Sequence, residues 1–308
     1  MCAMTWTAIW VCIGIAIASP CVAQKPDSTS GSHFLAWPDG FTKRPGRASF
    51  AQPGNSTIRP QVSNGVLADF KQWPATFLAS GSGCTATAVG PKAILTAAHC
   101  LGGLTDVTVS IAGRDRLATC AVPKNFSEEY DLAGRDTVEN WNRASLDVAL
   151  CLVDDQGPAL RPGKFETIDV ATPNPSGTVR LVGFGCDGAS LQSAGGGALT
   201  TATSIVYKAP AASNHYLELR ADSSTNNGIL CPGDSGGGAY APPAIVGSQR
   251  KIVGVNSRTG VKADRKTLSG ASFVSYLSTA TLAKFVRDWA GSTIQVCGVN
   301  WSSKDCRS

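Results

Sequence analysis

Beyond residue 62 the chain is a succession of short apolar runs set apart by turns rich in Gly, Pro, Asn and Asp. In the first half these runs fall at 76–79, 85–89, 93–96, 107–111 and 148–153. In the second half they fall at 179–184, 204–207, 215–219, 252–257 and 272–276. Many short strands with turn residues between them predict an all-β sandwich or barrel architecture. A Pro- and Gly-rich stretch at 160–177 divides the runs into two groups. Near the C-terminal end the period changes. Leu282, Phe285, Val286 and Trp289 recur at i, i+3, i+4 and i+7, which is one face of a helix. Thr279 or Ser278 is placed to cap its start and Gly291 its end.

The first 61 residues follow other rules. Residues 1–23 carry no charged side chain and are mostly apolar, and Cys21-Val22-Ala23 offers the small residues of a signal-peptidase site. A signal peptide with a mature start at Gln24 is the expectation. A retained segment would act as a membrane anchor, and an acylated Cys21 would make a lipoprotein. From 24 to 61 prolines recur at 26, 38, 45, 53 and 60 with no apolar periodicity, so this stretch reads as a prosegment or disordered leader.

Composition narrows the partners. The net charge is +5, and five of the 27 basic residues (Lys25, Lys43, Arg44, Arg47, Arg59) sit in the leader. The rest is nearly balanced and unclustered, which gives nucleic acid no reason to bind. There are eleven cysteines, of which Cys2, Cys12 and Cys21 lie in the N-terminal apolar stretch, leaving eight. An even number in an exported chain reads as a disulfide framework.

Three strings carry chemistry: Thr96-Ala97-Ala98-His99-Cys100, Asp147 within Ser145-Leu146-Asp147-Val148-Ala149-Leu150, and Gly233-Asp234-Ser235-Gly236-Gly237. A hydroxyl nucleophile needs a base to take its proton, and the base needs a carboxylate to fix its tautomer. In this order, 48 and 88 residues apart, they resemble the trypsin and chymotrypsin family of serine proteases. The resemblance implies two six-stranded antiparallel β-barrels, with 160–177 between them, and a C-terminal α-helix. It also implies a catalytic domain at 62–291 and a tail at 292–308 without a family counterpart. His99, Asp147 and Ser235 would be catalytic, with the N–H groups of Gly233 and Ser235 as the oxyanion hole. Ser257 matches the serine that hydrogen-bonds the buried aspartate, and Cys84 with Cys100 matches the bridge around the histidine. The remaining pairing taken here is Cys120 with Cys151, Cys186 with Cys231, and Cys297 with Cys306.

Other hydrolase classes fail on composition. The Gly-x-Ser-x-Gly of 233–237 also fits the nucleophile elbow of α/β-hydrolases, but that fold needs a histidine after the serine. The histidines are His33, His99 and His215, all before it. His215 reads as structural. No His-Glu-x-x-His is present for zinc, and Glu128, Glu129 and Asp131 lack the ordered spacing of a calcium loop. No metal or cofactor is expected. Protein or peptide substrates are the implied partners, with a protein inhibitor as a second. The competing class is a binding protein on a protease scaffold, whose members lack a triad residue or the oxyanion glycine.

Activation and specificity follow from the same resemblance. Val62-Ser63-Asn64-Gly65 followed by Trp73-Pro74 matches the family's mature start. Cleavage at Gln61–Val62 would free an amine to pair with Asp234, although Gln61 is not the usual basic residue. The position six before the serine, which sets the pocket floor, is Ile229. It offers no charge to a buried cation. Thr259 stands on the pocket wall where the family has Gly, and Arg258 replaces an aromatic beside it. A preference for small to medium apolar residues is expected, unless Asp264 reaches the pocket and restores basic specificity.

Overall fold

The computed structural model describes residues 50–51, 65–79, 83–111, 114–127, 138–154, 160, 165–172, 177–185, 198–222, 227–242, 249–263, 268–302 and 306. The expected signal segment 1–23, most of the expected leader 24–61, Val62, Cys186 and Asp264 lie outside them. In chain order the elements are β1 (Phe50–Ala51), β2 (Val66–Leu67), β3 (Thr76–Ala79), β4 (Cys84–Ala88), β5 (Ala93–Thr96), a 3-10 turn (Ala98–Leu101), β6 (Asp106–Ile111) and β7 (Arg114–Ala121). The helix α1 (Val138–Ala144) and the strands β8 (Ala149–Val153) and β9 (Thr167–Ile168) follow. The second half holds β10 (Thr178–Gly183), β11 (Thr200–Lys208), β12 (Tyr216–Asp222), β13 (Gly238–Ala241), β14 (Lys251–Ala263), β15 (Leu268–Tyr276) and α2 (Ala280–Ala290).

The fold is all-β with a C-terminal helix, as the pattern predicts. The first sheet runs β1-β3-β4-β5-β8-β7-β6 and forms a half-barrel, since no pairing among the described residues joins its two ends. The second runs β10-β13-β14-β15-β12-β11, and β10 pairs with β11 to close the ring of six. Closure removes the free edges that an open sheet would expose. β2, just after the expected mature start, joins the second barrel through Leu67 opposite Thr200. β1 falls within the stretch expected to be a leader, yet its backbone pairs with β3, Phe50 opposite Ala79 and Ala51 opposite Leu78.

One apolar cluster runs through the first barrel and across to the second, joining Leu95, Val148 and Leu150 to Phe184, Leu199, Tyr240 and Val255. A smaller cluster, including Leu181, Leu217, Leu219 and Val253, fills the second barrel. β4 is buried at every position although it reads Cys-Thr-Ala-Thr-Ala. Small side chains there let the two barrels approach closely.

Helix α2 buries Leu282 and Val286 fully, with Phe285 and Trp289 packed half-buried beside them. Thr279 takes the N-cap position with extended backbone, and Gly291 closes the end at φ +52°. The expected bridges Cys84–Cys100, Cys120–Cys151 and Cys297–Cys306 are formed. Cys231 is also disulfide-bonded, while its expected partner Cys186 is not described. The tail docks rather than trailing: Cys297 N–H donates to Val89 O at 2.8 Å, and Cys297 O accepts from Ile168 N–H at 2.9 Å. Among the described residues no helix is long and apolar enough to cross a membrane.

Candidate active site

β5 ends at Thr96 and passes into the 3-10 turn that carries His99, and the turn closes at Gly102, φ +62°. The Cys84–Cys100 bridge, S–S 2.09 Å, ties this turn back to β4. Asp147 enters from the other side, between α1 and β8, with no exposed surface. Its Oδ2 lies 2.6 Å from His99 Nδ1, and its Oδ1 accepts the His99 backbone N–H at 2.9 Å. That pairing places the imidazole proton on Nδ1 and leaves Nε2 as the ring's basic nitrogen.

Ser257, on β14 of the second barrel, donates to the same Asp147 Oδ2 at 2.5 Å. Burial works to raise the Asp147 carboxyl. The charge and hydrogen bond of His99, the Arg258 guanidinium and the Ser257 hydroxyl outweigh it and hold the group below its ordinary value. The network runs one residue further. Tyr216 OH lies 3.1 Å from Ser257 Oγ and donates to Ala144 O at 2.8 Å, which anchors the end of α1 just ahead of Asp147.

Ser235 sits in the Gly-rich turn before β13, and its Oγ donates to Ser257 O at 3.2 Å. His99, Asp147, Ser257 and Ser235 therefore form one connected group drawn from both barrels. The turn is seated by Gly236 N–H on Asn256 O at 2.8 Å and by Thr85 N–H on Ser235 O at 2.7 Å. Gly236 has φ +82°, and a Cβ there would lie 2.2 Å from both Thr85 O and Thr96 Oγ1. Neither the conformation nor the space admits a side chain. Gly233 also has positive φ, +103°. Among the described residues the N–H groups of Gly233 and Ser235 are given to no backbone acceptor.

Asp234 points inward with no exposed surface. Its carboxylate accepts Cys231 N–H and Gly185 N–H, each at 2.8 Å. Burial raises its pKa to about 7 against the pull of those two bonds. Ile229 is fully buried and lies against Gly270 of β15, where a Cβ would come 3.3 Å from Ile229 Cδ1. Thr259 is half-buried and its hydroxyl donates to Ala271 O at 3.2 Å. Arg258 lies 5.5 Å from the rings of both Trp141 and Tyr216, a cation held among aromatics. His215 packs as a buried residue whose pKa is lowered by burial, and its N–H is taken by Ser145 Oγ at 2.8 Å.

Two contributors escape the sequence. Tyr216 gives no signal because its hydroxyl acts from a strand read only for its apolar alternation. Trp141 lies in a helix of seven residues that buries Ala144 alone, too little for a periodic pattern. Among the described residues one set of potential metal ligands converges, Cys84, His99 and Cys100. Two of its three sulfur and nitrogen donors are consumed in the disulfide, so no thiolate is left to hold an ion.

No curated protein matches the chain. A family model described as Trypsin does, over residues 62–280. That span takes in both barrels, the histidine turn, Asp147 and the Gly-rich turn, and the chain accordingly belongs to the trypsin family.

Proposed function

We propose that the chain is a secreted serine endopeptidase that cleaves peptide bonds through an acyl-enzyme on Ser235. The single observation behind this reading is the pairing of His99 with Asp147 at 2.6 Å, in hydrogen-bonded continuity with Ser257 and Ser235. Rotation of Ser235 about χ1, away from Ser257 O, would hand its proton to His99 Nε2 as Oγ attacks the scissile carbonyl. The tetrahedral oxyanion would be met by the N–H groups of Gly233 and Ser235, and loss of one such donor typically costs about 10²–10³ in turnover. Asp147, held ionised by its three donors, would stabilise the imidazolium that forms. His99 then returns the proton to the leaving amine, and water repeats the cycle on the acyl ester.

Activation belongs to the same proposal. Cleavage at Gln61–Val62 would bring an ammonium group to Asp234, which already sits desolvated beneath the nucleophile turn. A buried carboxylate without its cation costs about 3–5 kcal/mol relative to the pair, so the new amine would lock the turn. Ile229 on the pocket floor and Thr259 on its wall support a preference for small to medium apolar side chains before the scissile bond. The disulfides fit an oxidising compartment, outside the cell or in a periplasm.

Labelling by a fluorophosphonate tests the reading. The mature protein should be labelled stoichiometrically and its Ser235→Ala variant not at all. A correctly folded mature protein that resists the label and hydrolyses no peptide would sink it.

A further inference from the structure

Thr85 takes no part in the steps above, yet it lies against the nucleophile turn from the opposite barrel. It sits on β4, next to Cys84, with no exposed surface. Its hydroxyl donates to Gly233 O at 2.8 Å and accepts Phe184 N–H at 3.0 Å. Its own N–H donates to Ser235 O at 2.7 Å, and its carbonyl accepts the Thr96 hydroxyl at 2.9 Å. Gly233 and Ser235 are the two residues whose N–H groups the proposed mechanism aims at the oxyanion, and Thr85 holds the carbonyl of each.

We infer that Thr85 is a positioning residue that holds the oxyanion hole in register across the barrel interface. Each carbonyl belongs to the peptide plane that follows its residue, so the two held planes flank the Asp234–Ser235 peptide that carries the Ser235 N–H and limit how far it can turn. Gly233, at φ +103°, has no Cβ to restrict it and depends on an outside partner to stay in place. The same hydroxyl also takes the Phe184 N–H, one residue before the Gly185 N–H that binds Asp234. One buried side chain thus ties together the hole, the carboxylate beneath it and the first barrel. Valine would fill the same space. What valine lacks is the hydroxyl, and without it Gly233 O and Phe184 N–H are left in the interface with no partner and reason to turn.

The inference rests on Gly233 and Ser235 being the oxyanion donors, and mature Thr85→Val, Thr85→Ser and Thr87→Val proteins test it. Thr87 is equally buried on the same strand but lies against Tyr240, so its change controls for loss of a buried hydroxyl. On a chromogenic peptide amide, Thr85→Val should lower kcat by about 10- to 100-fold, short of outright loss of a donor. KM should stay within about twofold, the signature of an interaction felt only in the transition state. A peptide boronate, which mimics the tetrahedral adduct, should lose affinity by the same factor as kcat/KM. Thr85→Ser should restore turnover and Thr87→Val should leave it unchanged. Should Thr85→Val fail to fold, Thr85→Ala read against Thr85→Ser makes the same comparison.

An active wild type with undiminished kcat in Thr85→Val, or with Thr85→Ser as slow as Thr85→Val, overturns the role of Thr85 alone. A wild type that neither turns over nor takes the fluorophosphonate overturns the protease reading, and this role with it.

Discussion

Asp147 holds His99 at two points, the ring through Nδ1 at 2.6 Å and the backbone through its N–H at 2.9 Å. The first bond sets the tautomer and the second sets the position of the turn, so an amide at 147 separates them. Asparagine keeps an oxygen for one donor but would present an NH₂ to the other. With Asp147→Asn the imidazole is expected to flip its proton to Nε2 and lose its basicity toward Ser235. Turnover should fall by about 10⁴-fold while binding of a ground-state peptide inhibitor is preserved. Steady-state kinetics at saturating substrate check the first, and competition binding checks the second. A loss of tenfold or less, on the order of a simple packing defect, would remove Asp147 from the mechanism.

The two buried aspartates should respond to pH in opposite senses. Asp147 has its pKa lowered, so its contribution to stability is present above the unfolded value of 3.8 and is lost as pH falls through the folded one. Asp234 is raised from 3.8 to about 7. The folded chain then keeps a proton that the unfolded chain has released, and stability drops as pH rises between those values, by up to about 4 kcal/mol. In the uncleaved precursor, made inert as Ser235→Ala, urea midpoints should decline over this window, and Asp234→Asn should flatten the curve. After cleavage at Gln61–Val62 the ammonium of Val62 would favour the ionised carboxylate and cancel the decline. A precursor with the same pH profile as the mature form would argue that no cation arrives at Asp234.

How much of this was legible in the chain depended on where the chemistry is concentrated. His99 and Ser235 announce themselves because a nucleophile turn and its base need particular neighbours in consecutive positions. Ser257 and Asp147 were legible by the same likeness, and the bridges Cys84–Cys100, Cys120–Cys151 and Cys297–Cys306 formed as paired. β7 was missed because Arg114-Asp115-Arg116-Leu117 does not alternate as a half-buried strand should. Yet Arg116 is buried there and pairs with Asp154 at 3.2 Å, so a charged position faces inward with its partner. β13, four residues beginning at Gly238, is too short to give a period. Thr85 and Tyr216 act through single hydroxyls that only the folded arrangement brings to the turn and to Ser257. The two-residue pairing at Phe50 and Ala51 depends on the hydrogen-bonding edge of β3, which no local pattern records.

Ile229 offers a direct test of the specificity reading. It is 1% exposed and lies against Gly270 on β15. If Ile229 is the floor of the proposed specificity pocket, an aspartate there would put a carboxylate at its base, unfavourable when empty and favourable when a Lys or Arg side chain enters. Ile229→Asp should therefore raise kcat/KM for an Arg amide relative to a Val amide by at least about tenfold, with some loss of thermal stability. Peptide-library profiling of both proteins gives the answer. Strong cleavage after Arg by the unaltered enzyme would show that another acidic group already serves the pocket and that Ile229 is not its floor.

The C-terminal tail should matter for stability and not for catalysis. Cys297 and Cys306 close a loop of nine residues' separation. The backbone of this loop binds Val89 O of the first barrel, and Ile168 and Phe165 from the segment leading onto the second. Trp301 adds a ring contact to Phe165 at 5.8 Å. A bridge over so short a loop is worth about 2–3 kcal/mol in the chain-entropy model, which in a domain of this size moves Tm by about 5–10 °C. The double variant Cys297→Ser/Cys306→Ser should show that drop while kcat/KM at 25 °C changes by less than about twofold. Serine is used in place of a reductant because the bridge at His99 would be reduced as well. If kcat/KM fell instead, with Tm unmoved, the tail would have to act through the barrel interface that seats His99 and Ser235, which it would reach through its backbone bonds to Val89, Ile168 and Phe165.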